Sequence, residues 1–291
     1  MAQPARMRTP VLDVAYEASG PPDGLPVLLL HGFPYDVRSF DDVAARVNAA
    51  GFRTIVPWLR GYGGTQFLSA DTLRYLLELL DALHIQKAVL AGYDWGGRAA
   101  CVVSALWPER VAGLVSCTGY TIQDIANSHR PADPAQEARF WYQYYFHTER
   151  GRNGLIEKRR EMSRLLWKMW SPAWAFDDAT FDRTAASFDN EDFVDVVIHS
   201  YRHRTGNVAG DPRYAAVEAR LAAQPNINVP AINLHGAADG VTPVGASEGH
   251  GKPFTAAYQR RVLENVGHNV PQEAPQPFAD AILQLCRNAS A

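Results

Sequence analysis

The fold of this 291-residue chain is decided by residues 88–107, AVLAGYDWGGRAACVVSALW. The apolar run 88–91 predicts a buried strand, and residues 98–107 predict a helix that stops at Pro108. Between them lies the short turn 92–97, GYDWGG, which is flanked by glycines. A strand that passes through so short a turn into a helix is typical of a sheet covered by helices.

Short strands and helices alternate on both sides of this stretch. Further strands are predicted over 11–16, 27–30, 54–56, 111–116, 229–235 and 261–264. Helices are predicted over 39–50, 71–84 and 275–285. Parallel strands need long crossover connections, which helices usually supply. We therefore expect an α/β protein with a mostly parallel central sheet and helices on both faces.

One long segment breaks this alternation. Residues 122–210 turn helical, aromatic and charged, as in FWYQYYF at 140–146 and in the segment 157–170. The strand pattern returns only after this segment. We therefore expect a helical cap over 122–210, inserted between two parts of one core, 1–121 and 211–291.

The composition is that of an ordinary globular protein, with 47% hydrophobic residues, 20% charged residues and a net charge of −3. Nothing in this balance favours nucleic acid or an anionic membrane as a partner. No run reaches the roughly 18 apolar residues of a membrane span, and no secretion signal is recognised, so we expect a cytoplasmic protein. The three cysteines, Cys101, Cys117 and Cys286, are expected to be reduced core residues. The oligomeric state is open, with a homodimer as one alternative.

Asp94 is the candidate nucleophile. Its Gly-x-Asp-x-Gly pattern lies between a predicted strand and a predicted helix, where the nucleophile elbow of the Gly-x-Ser-x-Gly hydrolases lies. Taken alone, the pattern also fits an aspartate that caps the following helix. A carboxylate that attacks a saturated carbon leaves an ester, which water can hydrolyse, whereas serine would leave an ether. An aspartate nucleophile therefore indicates a substrate with an epoxide or a carbon–halogen bond.

Two further candidates follow the next predicted strands. Asp239 comes after the strand 229–235, and His268 after the strand 261–264. The order nucleophile, acid, histidine is the order of these hydrolases. We expect His268 to take a proton from the water that attacks the ester, and Asp239 to orient the imidazole. The backbone N–H groups of Phe33 and Trp95 are the candidate donors to the oxyanion formed in that step.

These residues resemble the α/β-hydrolase-fold epoxide hydrolases, of the soluble microbial type with an aspartate nucleophile. His31-Gly32-Phe33-Pro34 resembles the HGFP loop of that family, residues 60–65, RGYGGT, resemble its RGYGxS segment, and Asp94-Trp95-Gly96 resembles its nucleophile motif. Tyr142-Gln143 and Tyr201-Arg202 resemble the two cap tyrosines. The likeness covers nearly the whole chain.

The resemblance implies a role for each cap tyrosine. Tyr142 and Tyr201 would donate hydrogen bonds to the epoxide oxygen and protonate it as the ring opens, a task that suits a phenol with a pKa near 10. Tyr144 and Tyr145 lie close enough in sequence to be alternatives to Tyr142. Tyr93 departs from the family pattern, which commonly has histidine there, and this puts local packing in question rather than the reaction.

The expected substrate is a small apolar or aryl epoxide, with water as the second reactant and with no cofactor and no metal. Phe33, Trp95, Tyr142 and Tyr201 are expected to contact it, and the aromatic cap, with Trp141, Trp167, Trp170 and Trp174, favours an apolar substrate. The resemblance also covers the related dehalogenases, which form the main alternative.

Three other functions are compatible with parts of the sequence. A haloalkane dehalogenase would share Asp94 and Trp95 but normally has a second halide donor where this chain has Phe33. A haloacetate dehalogenase would hold the substrate carboxylate with two arginines, of which only Arg98 is matched, since Trp95 occupies the other position. A non-catalytic ligand-binding protein of this fold is less favoured, because the whole catalytic set is retained.

Overall fold

The computed structural model describes residues 4–68 and 75–290. Within these ranges the chain forms one nine-stranded sheet, numbered here in chain order. Its strands are β1 (Ala5–Arg8), β2 (Leu12–Ser19), β3 (Pro26–Leu30), β4 (Arg53–Pro57), β5 (Gln66–Phe67), β6 (Ala88–Gly92), β7 (Val111–Cys117), β8 (Ala231–Gly236) and β9 (Tyr258–Leu263).

The sheet is mostly parallel, as the sequence predicts. Its order is β1-β2-β4-β3-β6-β7-β8-β9, with β5 paired to β2. The strands from β4 to β9 in this order are parallel, whereas β2 runs antiparallel to each of its neighbours β1, β4 and β5. The central strands β6 and β8 are buried throughout, as expected for strands covered on both faces.

The helices account for the connections between the strands and for the cap. They are α1 (Asp41–Ala49), α2 (Tyr75–Ala82), α3 (Asp94–Leu106), α4 (Pro134–Arg139), α5 (Trp141–His147), α6 (Glu149–Trp170), α7 (Asp178–Ala185), α8 (Phe193–His203), α9 (Ala215–Ala222), α10 (Val270–Glu273) and α11 (Pro275–Ser290). Helix α11 packs an apolar face, with Phe278, Ile282 and Leu285 buried, against the core.

Several predicted boundaries were wrong, and local chemistry explains two of them. The helix predicted from residue 98 begins at Asp94, because the turn after β6 is even tighter than expected. The strand predicted from residue 229 begins at Ala231, since Pro230 has no N–H to donate to a ladder. The sequence did not indicate β1 or β5. Residues 71–74 of the helix predicted over 71–84 lie outside the described residues.

Helices α4 to α8 lie between β7 and β8 and fall within the predicted cap, whose boundaries stay a prediction. They join the core through specific hydrogen bonds as well as apolar contact. The hydroxyls of Thr184 and Ser187 donate to the buried Asp36 carboxylate at 2.9 and 2.6 Å. The Trp170 carbonyl accepts from the N–H groups of Gly240 and His268 at 2.9 and 3.2 Å. The last turn of α6 is therefore tied to the loops that carry Asp239 and His268.

Two further predictions concern the described residues. The three cysteines are free and buried, as expected for core thiols. Within residues 4–68 and 75–290, no helix is both long enough and apolar enough to cross a bilayer.

Candidate active site

The nucleophile elbow is a strained, glycine-dependent turn. Asp94 opens helix α3 with φ of 49°, a left-handed conformation that is uncommon for a residue with a side chain. A Cβ added at Gly96 would lie 2.1 Å from the Leu30 carbonyl oxygen, and one at Gly92 would lie 2.7 Å from the Gly96 carbonyl carbon. Close packing of the turn against β3 therefore requires both glycines of the motif.

The loop after β3 supplies a hydrogen bond to the nucleophile. The Phe33 N–H donates to Asp94 Oδ1 at 2.9 Å. A Cβ at Gly32 would collide with the Asp94 side chain at 2.4 Å, which explains the glycine before Phe33. His31 holds this loop, because its Nε2 accepts from the Leu59 N–H at 3.0 Å. Burial lowers the pKa of His31 to about 4, so this histidine is neutral and structural.

Asp94, His268 and Asp239 lie together at the carboxyl ends of β6, β9 and β8. His268 Nδ1 lies 2.9 Å from Asp239 Oδ2, and His268 Nε2 lies 3.5 Å from Asp94 Oδ2. The other Asp239 oxygen accepts from the N–H groups of Val241 and Thr242 at 2.7 and 3.0 Å. With both of its oxygens bonded, Asp239 fixes the imidazole so that Nε2 points to Asp94.

The charges in this cluster set its protonation. Burial alone would raise the pKa of Asp94, but His268, Arg98 and the Phe33 N–H together lower that pKa to about 2. Burial would likewise lower the pKa of His268, but the carboxylates of Asp239 and Asp94 raise it to about 10. At neutral pH the nucleophile is therefore an ionised carboxylate that faces an imidazolium.

A second carboxylate holds the His268 loop, and the sequence did not indicate it. Glu273 accepts from the N–H groups of Gly267 and Asn269 at 2.7 and 3.0 Å, and from the Ser171 hydroxyl at 2.6 Å. The same Ser171 oxygen accepts from the His268 N–H at 3.1 Å. Glu273 ends α10, four residues after the N-cap Asn269 and one position beyond the capping-box spacing. Ser171 is too distant in sequence to be found by pattern.

The cap places two phenols above the core residues. Tyr142 on α5 and Tyr201 on α8 are both buried, and their ring centroids lie 5.4 Å apart with the planes nearly perpendicular. The Tyr201 ring also lies 5.5 Å from Phe33 and 5.8 Å from Trp95, the two neighbours of the nucleophile. The structure thus brings the four residues predicted to contact the substrate, Phe33, Trp95, Tyr142 and Tyr201, into one aromatic cluster.

The alternatives to Tyr142 point elsewhere. Tyr144 is 49% exposed, and its hydroxyl donates to Glu137 on the cap surface. Tyr145 packs beside Trp141 on α5, with ring centroids 6.2 Å apart. In the described part of the chain neither ring contacts Tyr201, whereas the Tyr142 ring does. Of the three tyrosines on α5, Tyr142 is therefore the one that faces the interior beside Tyr201.

Both interior phenols keep their protons at neutral pH. Burial raises the pKa of Tyr142, an effect that Arg204 opposes and the Asp94 carboxylate reinforces. Burial raises the pKa of Tyr201 well above its usual value, and Tyr142 and Asp94 add to the increase. The Tyr201 ring packs on both Tyr142 and Trp95, the residue after the nucleophile, so the two phenols lie on the same side of the core as Asp94. Each tyrosine is therefore available as a proton donor.

Trp95 and Tyr93 flank the nucleophile with different roles. The Trp95 backbone N–H makes no hydrogen bond to Asp94 among the described residues, and its indole Nε1 is buried without a partner there. The Tyr93 hydroxyl lies 2.8 Å from Ser39 Oγ, and its ring packs on Tyr35. Tyr93 therefore fills space behind the elbow, as its position in the motif suggested.

A cavity of about 720 Å³ lies beside this cluster, between α3, α2 and the cap helix α8. Its walls are mainly apolar, and they reach the site at Trp95, Arg98 and Arg204. The volume suits a small organic molecule. Arg204 was not among the predicted site residues, although it follows Tyr201 by one helical turn.

Comparison with known proteins identifies the family of this chain. Residues 26–275 match the alpha/beta hydrolase fold family, so the chain belongs to that family. Within it the chain belongs with the epoxide hydrolases. A solved structure from Klebsiella pneumoniae, provisionally described as an epoxide hydrolase, has a TM-score of 0.94 and 44% identity over 98% of this chain and 97% of that chain. The epoxide hydrolase of Caballeronia sordidicola is 26% identical over 96% of this chain and 92% of its own length.

The dehalogenases share the fold over the whole chain but are less similar in sequence. A haloalkane dehalogenase loop variant of Bradyrhizobium elkanii has a TM-score of 0.76 and 20% identity over 98% of this chain and 96% of that chain, a likeness in fold alone. A haloalkane dehalogenase of Mesorhizobium japonicum is 36% identical to this chain, but over only 38% of each protein. The sequence likeness to the two epoxide hydrolases above spans 96% or more of the chain, whereas the sequence likeness to this dehalogenase spans little more than a third of it. The comparisons therefore support the epoxide hydrolase interpretation better than the dehalogenase alternative.

Proposed function

We propose that this chain hydrolyses epoxides to vicinal diols through an ester formed on Asp94. The observation that carries the proposal is the pairing of an ionised, buried carboxylate with two buried, protonated phenols in one site. A carboxylate suits attack at a saturated carbon, and phenols suit a leaving oxygen that must be protonated. The Phe33 side chain has no N–H or O–H group, so it cannot act as the second donor to a halide, and an oxygen leaving group fits the site better.

In the first half-reaction Asp94 attacks one ring carbon of the epoxide. The Asp94 oxygen–carbon bond forms as the carbon–oxygen bond of the ring breaks, and the departing oxygen takes a proton from Tyr142 or Tyr201. The products are an ester on Asp94, a free hydroxyl on the substrate and a tyrosinate. The proton of the His268 imidazolium then restores the phenol through water, which leaves His268 neutral.

In the second half-reaction water attacks the carbonyl carbon of the ester. Neutral His268 takes the proton, and esterification of Asp94 has removed one of the two carboxylates that raise its pKa. We assign the oxyanion to the N–H groups of Phe33 and Trp95, of which the first already donates to Asp94. Collapse releases the diol and restores the Asp94 carboxylate and the His268 imidazolium, so the cycle consumes one epoxide and one water.

We infer a small apolar or aryl epoxide as the substrate class. The aromatic cluster around Tyr142, Tyr201 and Phe33 and the apolar walls of the adjacent cavity would desolvate such a molecule. Trp95 stands between the cavity and the nucleophile, so it would contact the bound substrate. A cytoplasmic location and a homodimer stay predictions.

A dehalogenase remains a second candidate because of one observation. The buried Trp95 Nε1 donor has no partner in the described ranges, and an indole N–H at this position could hold a departing halide. A halide needs no proton to leave, so this reaction would not require the cap phenols.

Incubation with styrene oxide and, in parallel, with 1-bromobutane separates the two functions. We expect diol from the first substrate and little free halide from the second. The matched control is the Asp94→Asn variant, which keeps the shape of the side chain and tolerates the left-handed backbone but lacks the nucleophile. Halide release without diol formation would overturn the proposal.

A further inference from the structure

Each half of the site has an arginine one helical turn beyond its reactive residue. Arg98 follows Asp94 by four residues on α3, and Arg204 follows Tyr201 by three residues at the end of α8. Residues three or four apart lie on the same face of a helix, about 5–6 Å from each other. Both arginines line the cavity that reaches the site at Trp95.

Neither guanidinium forms an ion pair or a hydrogen bond with a carboxylate among residues 4–68 and 75–290, although the charge of Asp94 acts on both from a longer distance. Arg98 makes no side-chain hydrogen bond or ion pair there. Arg204 is 9% exposed, and it has only long contacts of 3.4 and 3.5 Å to Ser200, with its guanidinium 4.2 Å from the centre of the Tyr201 ring. A buried arginine without a carboxylate is costly, so its ligand is expected to come from outside the protein.

The acidic residues that line the same cavity do not supply this ligand. Asp195 pairs with Arg152 at 2.5 Å, and Asp211 pairs with Arg213. Glu218 lies 3.7 Å from His203. Asp192 is the N-cap of α8, at the opposite end of the helix from the C-cap Arg204 and therefore about 18 Å from it along the axis.

The charges around the nucleophile also favour an added anion. The carboxylates of Asp239 and Glu273 bond to His268 and to its loop, on the far side of the site from the cavity, so Asp94 is, among the described residues, the one carboxylate whose charge acts on both Arg98 and Arg204. Arg98 and Arg204 line the same cavity, and burial together with repulsion by Arg98 lowers the pKa of Arg204 to about 10. A bound anion between them would relieve that repulsion.

We propose that Arg98 and Arg204 form a subsite that binds a substrate carboxylate. The favoured substrates are then apolar or aryl epoxides with a carboxylate close to the epoxide ring. The carboxylate and the epoxide ring must lie close together in the substrate, because each arginine is only one helical turn from its reactive residue. A planar carboxylate is the anion that guanidinium groups bind with best geometry. The choice of an epoxide rests on the proposed function, whereas the anion subsite does not.

Binding of an unreactive ligand pair tests the subsite without any chemistry. Calorimetric titration of the intact enzyme with 3-phenylpropionate and with 3-phenylpropionamide compares an anion with a neutral molecule of nearly the same shape. We expect the acid to bind at least about tenfold more tightly, as is usual for hydrogen bonds between charged groups. Arg98→Gln and Arg204→Gln should each remove this preference, whereas Arg110→Gln, which alters an arginine paired with Asp81 outside the cavity, should keep it.

Two outcomes would overturn the subsite. One is equal or weaker binding of the acid by the unmodified enzyme. The other is an unchanged preference in Arg98→Gln, a partly exposed position where the substitution is tolerated even if Arg204→Gln fails to fold. If Arg204 only supports the Tyr201 ring, its loss would weaken binding of acid and amide alike.

Turnover of trans-3-phenylglycidate and its amide then connects the subsite to the reaction. We expect a kcat/KM about tenfold or more higher for the acid, and a ratio near one in both arginine variants. An amide that reacts as fast as the acid would contradict the proposed specificity. Tight binding of the acid without opening of either epoxide would instead contradict the proposed function and leave the subsite standing.

Discussion

The core half and the cap half of the site are held in place by different interactions. In the core half, a hydrogen bond joins His268 to Asp239, His268 Nε2 lies 3.5 Å from the Asp94 carboxylate, and backbone N–H groups fix both carboxylates. In the cap half, ring packing positions Tyr142 and Tyr201, and within the described ranges the one hydrogen bond to either phenol is from Gln143 to Tyr142 at 3.2 Å.

This difference indicates a division of labour. Directional hydrogen bonds give the core the fixed geometry needed to form and hydrolyse an ester. Packed rings leave the phenol oxygens free to donate to whatever oxygen the substrate presents. We therefore expect changes in the core to stop turnover, and changes in the cap to alter which leaving group is accepted.

The largest effect is expected from His268→Gln. Without a base the ester on Asp94 should persist, because water is no longer activated, so turnover should fall by roughly 10³-fold or more. Mass spectrometry of the intact protein after incubation with styrene oxide should show one substrate mass added. The Asp94→Asn/His268→Gln double variant should show no addition. An unmodified His268→Gln protein would contradict the assignment of the base.

A smaller effect is expected from Tyr142→Phe and Tyr201→Phe. Each change removes one proton donor and should lower kcat/KM for styrene oxide by about 10- to 100-fold, with a larger loss in the double variant. Stopped-flow measurement of ester formation should show the loss in the first half-reaction. Tyr144→Phe is the control, since that hydroxyl bonds to Glu137 on the surface. Full activity in the double variant would show that the two cap phenols do not protonate the leaving oxygen.

An effect of a few-fold is expected from Glu273→Gln. The amide keeps the shape but loses the charge that holds the Gly267 and Asn269 N–H groups, so His268 should be less well positioned. Hydrolysis of the ester should slow while its formation does not, and the free energy of unfolding in urea should fall by about 1–3 kcal/mol. Slowing of both half-reactions by the same factor would point to a general structural defect instead.

The smallest effect is expected from a change of pH on the rate of ester formation. The pKa of Asp94 is lowered to about 2 and the pKa values of the phenols are raised, so the nucleophile stays ionised and the donors protonated from pH 5 to 8. The single-turnover rate of ester formation should therefore be nearly constant over this range. In Arg98→Gln the acid limb should move to higher pH, because Arg98 helps to lower the pKa of Asp94. A fall in the wild-type rate below pH 6 would contradict the protonation state assigned here.

The core half could be predicted from the sequence because its residues follow strands in a fixed order. Asp94, Asp239 and His268 each stand just after a short apolar run, and the ends of neighbouring parallel strands meet at one edge of a sheet. The glycines around Asp94 also indicated a tight turn at this position, and their close contacts in the structure leave no room for a side chain.

The cap half could be predicted only through resemblance. An aromatic run such as 140–146 gives no indication of which ring faces inward until α5 is placed against α8. Ser171 was missed because its partners Glu273 and His268 are brought close by tertiary folding rather than by spacing along the chain. Arg204 and Glu273 stand near their partners in sequence, but only the fold shows that these side chains reach the site. The absence of a partner, as for Arg98, is visible only in three dimensions.

The central claim is that Asp94 becomes covalently bound to the substrate. A single turnover with enzyme in excess over styrene oxide in H₂¹⁸O tests it directly, because the attacking water enters the Asp94 carboxylate rather than the diol. Trypsin cleavage after Lys87 and Arg98 releases the peptide AVLAGYDWGGR, residues 88–98, in which the label can be located. We expect ¹⁸O in this peptide and an unlabelled first diol. Label in the first diol, with an unlabelled peptide, would show that water opens the ring directly and would contradict the covalent mechanism.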